Sequence, residues 1–92
     1  MPKYTSIKTK SFRKSYEKME RQGKNMTLLI DVLHLLENGE KLPPHYRDHA
    51  LVGNMAGLRE CHIQGDWLLV YKIDKGELRL YLMYTGSHSE VL

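Results

Sequence analysis

The chain has 92 residues, 41% hydrophobic and 27% charged, with a formal net charge of +3. That length predicts one domain over residues 1–92, and the composition is that of an ordinary globular domain. A single cysteine, Cys61, excludes an internal disulfide framework and suits a reducing cytoplasm.

The N-terminal MPKYTSIKTKSF lacks the apolar run of a signal peptide. The longest apolar stretch, around Leu28 to Leu36, is interrupted by Asp31 and His34 and is too short to span a bilayer. A cytoplasmic protein with no membrane partner is expected. Residues 1–24 hold eight basic groups against two acids, a local excess of +6, and residues 25–92 carry −3. Such segregation suits contact with a polyanion, although a solvated, lysine-rich helix face would look the same.

In chain order, Lys3–Thr9 reads as a strand without clean alternation. Ser11 is positioned to cap a helix on which Phe12, Tyr16 and Met19 recur at helical spacing, and Gly23 ends it. A second helix fits Met26–Glu37. Met26, Leu29, Ile30, Leu33 and Leu36 share one face, which Leu28, Val32 and Leu35 widen, and Asn38-Gly39 supplies a left-handed stop. Pro43-Pro44 makes Lys41–His49 a surface loop. Beyond it come three strands, Leu58–Ile63, Trp67–Ile73 and Glu77–Thr85, joined by turns at Gln64-Gly65-Asp66 and Asp74-Lys75-Gly76. Gly86 breaks the last strand. The predicted class is α+β, in the order β-α-α-β-β-β, with two N-terminal helices on one face of a mostly antiparallel sheet.

Because hairpin strands run antiparallel, this meander gathers His62, Asp66 and His88 at one end of the sheet, and the Pro-rich loop can bring His49 there. Cleaving RNA without metal needs a base for the 2′-hydroxyl proton, an acid for the leaving 5′-oxygen and positive charge against the phosphorane. Imidazole titrates near neutrality and serves as either base or acid, and Arg59 is a candidate for the charge. Each histidine alone is more often a surface residue than a catalyst. His34, inside a helix, reads as structural. His45 and His49 have a zinc-like spacing, but Pro43-Pro44 breaks any helix there and no cysteine pair accompanies them, so neither metal nor other cofactor is expected. Cys61 reads as a small buried residue. Trp67 and Tyr71 alternate as packing residues do, although an aromatic at a strand end can stack on a base.

Four spaced motifs carry a resemblance: Tyr46–Gly53 (YRDHALVG), Arg59–Ile63 (RECHI), Asp66–Tyr71 (DWLLVY) and Thr85–His88 (TGSH). In that order they resemble the YafQ-type toxins of the RelE/ParE superfamily, strongly from Pro44 to the C-terminus and loosely over Ser11–Lys18. The resemblance implies a RelE-like fold and a type II toxin that cuts mRNA in the ribosomal A site. It also implies a cognate antitoxin, dimeric and partly disordered, with operator DNA bound only through that antitoxin. Carried over by position, His49, His62, Asp66 and His88 match catalytic residues. His88 is then the general acid, Asp66 or His49 lies on the base side, and His62 orients or stabilises charge. Trp67 matches an active-site aromatic, and Arg59 a basic residue near the scissile phosphate. Lys10, Arg13, Lys14 and Lys18 would face ribosomal RNA.

Two departures stand out. Tyr84 occupies a substrate-binding position where relatives commonly have arginine, so Arg79 is a candidate to compensate. Leu92 stands where an aromatic is usual. Two competing readings are a gyrase-binding, ParE-like toxin, which would lack the His49–His62–Asp66–His88 set, and a DNA-binding corepressor, for which no helix-turn-helix is evident.

Overall fold

The computed structural model describes residues 2–91; Leu92 lies outside them. Strand β1 spans Thr5–Lys8, helix α1 Lys10–Arg21 and helix α2 Met26–Glu37. A two-residue strand β2, His49–Ala50, precedes β3 (Arg59–Gln64), β4 (Trp67–Asp74) and β5 (Arg79–Ser87), and α3 covers His88–Val91. Short 3₁₀ turns occupy Pro44–Tyr46 and Gly53–Met55. The five strands form one sheet in the order β1-β5-β4-β3-β2, with β1 parallel to β5 and the other pairs antiparallel. This is the expected α+β architecture with two short elements added, β2 and α3, each too short to leave a period in the sequence. No helix among the described residues is long and apolar enough to cross a membrane.

Local chemistry explains the boundaries. Thr9, not Ser11, caps α1: its Oγ1 accepts from the Phe12 N–H at 3.1 Å and donates to the Leu82 carbonyl at 2.8 Å, which ties the helix start to β5. Helix α2 has the predicted bounds, with Asn25 as its cap. Its buried face is Leu29, Val32, Leu33 and Leu36; Ile30, expected inside, is 37% exposed. Strand β5 starts at Arg79 because Asp74 Oδ1 accepts from the N–H groups of Gly76 and Glu77, and Leu78 turns through φ +55°. Gly86 does not break the strand. It pairs with Leu68 inside β5, and the Tyr84 ring lies so close that a Cβ there would stand 2.8 Å from it.

Both helices cover one face of the sheet. Trp67, Leu69 and Tyr71 of β4 join Cys61 and Ile63 of β3, Leu80 and Leu82 of β5, and the helix residues Phe12, Met19, Leu29, Val32, Leu33 and Leu36 in one core. Where β1 ends, α1 takes over the edge of β5: the Thr85 N–H donates to the buried Ser15 Oγ at 3.1 Å. Thr85 Oγ1 in turn accepts from Trp67 Nε1 at 2.9 Å and donates to the Leu68 carbonyl. On the face away from the helices, Leu68 has His62 and Gly86 as cross-strand neighbours, and Val70 has Glu60 and Tyr84. That second face carries the candidate site.

Candidate active site

On β3, Glu60 and His62 stand two residues apart and so share the helix-free face. Strand β2 pairs His49 with Glu60 and brings a third group to the same face. His49 Nε2 lies 3.4 Å from Glu60 Oε1, and Glu60 is only 3% exposed. The rings of His49 and His62 are 6.2 Å apart between centroids. Arg47, left-handed at φ 49°, ψ 44°, closes the cluster: its carbonyl oxygen is 2.8 Å from His49 Nδ1 and its Nη2 3.2 Å from His62 Nδ1. A register shift in β3 between His62 and Gln64 bends the strand just beyond His62, a place where bulges commonly re-aim functional side chains.

His88 and Asp66 meet at the adjoining edge. Asp66 lies in the β3–β4 turn, and its carbonyl accepts the His88 N–H at 3.1 Å. Both residues are exposed. Because His62 and Gly86 flank Leu68, their backbones are roughly 10 Å apart, and His88 follows two residues after Gly86. Asp66 also lines a small recess with Met19, Gln22, Lys24, Trp67 and Ser87, so the C-terminal end of the basic helix reaches this edge. Lys10, Arg13, Lys14 and Lys18 are all exposed on α1.

Three expected site residues lie elsewhere. Arg59 is on the helix face, where Nη2 and Nε bind Asp48 Oδ2 at 2.8 and 3.2 Å. Tyr71 donates to the other Asp48 oxygen. The hydrogen bond to Asp48 raises the Arg59 pKa further, and burial, followed by Asp48, raises that of Tyr71. These three residues line a cavity of about 490 Å³ together with Tyr4, Leu36 and Leu42, away from the histidines. Trp67 is 1% exposed in the core, so its ring cannot stack on a base. Arg79 binds the Tyr81 hydroxyl at the opposite end of β5, eight residues from Ser87 and roughly 25 Å away, too far to compensate for Tyr84. Tyr84 itself is on the site face, half-buried over Gly86. His34, expected to be structural, is exposed, and the His45 ring lies against that of Tyr46.

Glu60 and Arg47 escaped the sequence reading. Strand alternation from His62 reaches Glu60, but nothing local in the sequence indicates that Arg47 turns back on the two histidines. Ligand atoms of His49, Glu60 and His62 all lie within 4.8 Å of one another, a donor set of two imidazoles and a carboxylate that suits a borderline divalent cation.

The family model described as "Bacterial toxin of type II toxin-antitoxin system, YafQ" matches residues 4–92. The chain belongs to the YafQ family of toxins. The mRNA interferase toxin YafQ of Escherichia coli is 34% identical over 79 residues, 85% of this chain and 84% of that protein. A copper-bound mutant toxin from Helicobacter pylori superposes with a TM-score of 0.90 at 38% identity, covering 100% of both chains. The toxin of an E. coli DinJ–YafQ toxin–antitoxin complex superposes with a TM-score of 0.89 at 28% identity, covering 98% of each chain.

Proposed function

We propose that this YafQ-family chain is a cytoplasmic endoribonuclease that cuts mRNA in the ribosomal A site by acid–base chemistry without metal. The observation that carries this reading is the joining of His49, Glu60 and His62 on the helix-free face, with His88 at the adjoining edge. A carbonyl oxygen can only accept, so His49 Nδ1 carries a proton, and in the neutral ring Nε2 offers its lone pair. Nε2 takes the 2′-hydroxyl proton, and Glu60, 3.4 Å from that same nitrogen, stabilises the imidazolium that results. The 2′-oxygen attacks phosphorus, the P–O5′ bond breaks, and His88 gives a proton to the leaving O5′. The products are a 2′,3′-cyclic phosphate and a 5′-hydroxyl. Of the two groups considered for the base side, His49 is favoured over Asp66 by its contact with Glu60.

The relative from E. coli is named an mRNA interferase, and the DinJ–YafQ complex joins such a toxin to an antitoxin. By analogy, a cognate antitoxin covers this chain, and the exposed basic face of α1 suits an acidic partner. Free of that partner, α1 docks on ribosomal RNA through Lys10, Arg13, Lys14 and Lys18. Its C-terminal end adjoins Asp66, which turns the catalytic edge toward the mRNA that the ribosome presents. The test is cleavage of one mRNA, naked and in a programmed ribosome with an empty A site. The ribosome-bound message should be cut far faster. Neutralising the four basic residues together should weaken ribosome binding and flatten its salt dependence while leaving the saturated rate nearly unchanged. Equal cutting of both messages would make the chain a self-sufficient RNase.

A second reading has its own observation. His49, Glu60 and His62 can hold a divalent cation, and the H. pylori relative is copper-bound. A cation there would occupy the lone pair that the acid–base scheme assigns to the 2′-hydroxyl proton, so the two readings predict opposite effects of added metal.

A further inference from the structure

We propose that Arg47 supplies the fixed positive charge for the scissile phosphate and, through its backbone and side chain together, aligns both histidines of the site. This rests on the endoribonuclease reading above. Attack by the 2′-oxygen builds negative charge on the phosphoryl oxygens, and a preorganised donor aimed there is worth a large part of the rate. Arg59 is committed to Asp48 on the far face, Arg79 lies at the far end of β5, and Tyr84 carries no guanidinium.

Arg47 does reach the cluster. Its Nη2 is 3.2 Å from His62 Nδ1, and the residue is exposed, so its outward N–H groups are open to a phosphate oxygen. A guanidinium has only donors, so His62 Nδ1 accepts and the ring proton sits on Nε2. The Arg47 carbonyl has only lone pairs, so His49 Nδ1 donates to it, and in the neutral ring Nε2 is left as the acceptor. One residue thereby sets two tautomers in opposite senses: His62 offers an N–H and His49 a lone pair. The backbone that achieves this is left-handed at φ 49°, ψ 44°, a region that residues with a side chain rarely adopt and that concentrates at functional sites. Arg47 is therefore a positioning residue for both imidazoles as well as a phosphate-facing charge.

The test uses the full-length protein and programmed ribosomes. At saturating toxin, Arg47→Ala should lower single-turnover cleavage by about 10²-fold. Arg47→Lys, which restores charge without the planar fork, should recover about tenfold of that. Arg47→Gly, which suits the left-handed backbone, should behave as Arg47→Ala and guards against a folding artefact. Added guanidinium ion should accelerate Arg47→Ala several-fold and leave the wild type unchanged, a response that a merely structural role would not give. In the free protein, ¹⁵N spectra of His62 should show the Nε2–H tautomer in the wild type and a mixture in Arg47→Ala and Arg47→Gly. Wild-type cleavage by a folded Arg47→Gly with an unchanged His62 spectrum would overturn the proposal. A wild-type chain that cuts no RNA would instead remove the endoribonuclease reading, and the His62 tautomer would still decide the alignment by Arg47.

Discussion

Nε2 of His49 stands 3.4 Å from Oε1 of Glu60, a carboxylate that is only 3% exposed. A buried acid next to a half-exposed imidazole is well placed to stabilise the imidazolium when the ring takes a proton. Glu60→Gln keeps the shape and removes the charge. Single-turnover cleavage should fall by about 10²-fold with little change in ribosome affinity. Rapid-quench cleavage with a parallel binding titration checks it, and a rate within about twofold of wild type would remove Glu60 from the mechanism.

His88 begins a single short turn of helix, and its N–H donates to the Asp66 carbonyl. If it protonates the leaving oxygen, His88→Ala should lower single-turnover cleavage by about 10²–10⁴-fold without loss of ribosome affinity. His34→Ala, exposed on α2, should leave cleavage unchanged. A substrate with an activated 5′-leaving group should rescue His88→Ala and not Glu60→Gln. Equal losses from His88→Ala and His34→Ala in folded proteins would mean that the acid is misassigned.

The two readings of the His49–Glu60–His62 cluster separate on metal. Under acid–base catalysis, cleavage survives EDTA, with ribosome integrity controlled separately, and the products carry 2′,3′-cyclic or 3′-phosphate ends. Added Cu2+ or Zn2+ should inhibit, because a cation on His49 Nε2 takes the lone pair that accepts the 2′-hydroxyl proton. Activation by either metal, with 3′-hydroxyl products, would favour the metal-dependent reading.

Arg59 and Trp67 should prove structural. Trp67→Phe loses the Nε1 hydrogen bond to Thr85 and some core volume, for about 1–3 kcal/mol of stability. Asp48→Ala removes the acceptor shared by Arg59 and the buried Tyr71, with a loss of similar size. Both folded variants should cut RNA within a few-fold of the wild-type rate. Urea melts and single-turnover assays check this, and a hundredfold loss of rate in folded Trp67→Phe would return Trp67 to the active site.

Cys61 is fully buried in β3, and burial, followed by the charges of Asp48 and Glu60, pushes its thiol up to about 12 from an ordinary 9.0. Below pH 9 both folded and unfolded chains keep the proton, so stability is intact. Between pH 9 and 12 only the unfolded chain ionises, so stability should fall by up to about 1.4 kcal/mol per pH unit from this group. Tyr71, also raised by burial, acts in the same direction at higher pH. Urea melts from about pH 8 to 11 should show a shallower decline in Cys61→Ala, and identical slopes would show that the thiol is not the cause. At neutral pH the native thiol should resist alkylation.

Helix α2 was legible to the residue in the sequence, because five apolar positions at helical spacing end in Asn38-Gly39 and only one period fits them. The meander was legible too, since apolar, extended runs alternate with turn residues, and antiparallel return gathers His62, Asp66 and His88 at one sheet end. Spacing cannot report which partner a side chain meets when that partner comes from a loop or a two-residue strand. Arg59 and Glu60 are adjacent in sequence, yet pleating sends one to Asp48 among the helices and the other to His49 on the opposite face. Three-dimensional packing was needed to show that Trp67 is core, because its indole N–H meets Thr85 across the β4–β5 ladder. Packing alone brought Arg47 to both histidines, through a left-handed backbone that no local residue preference calls for.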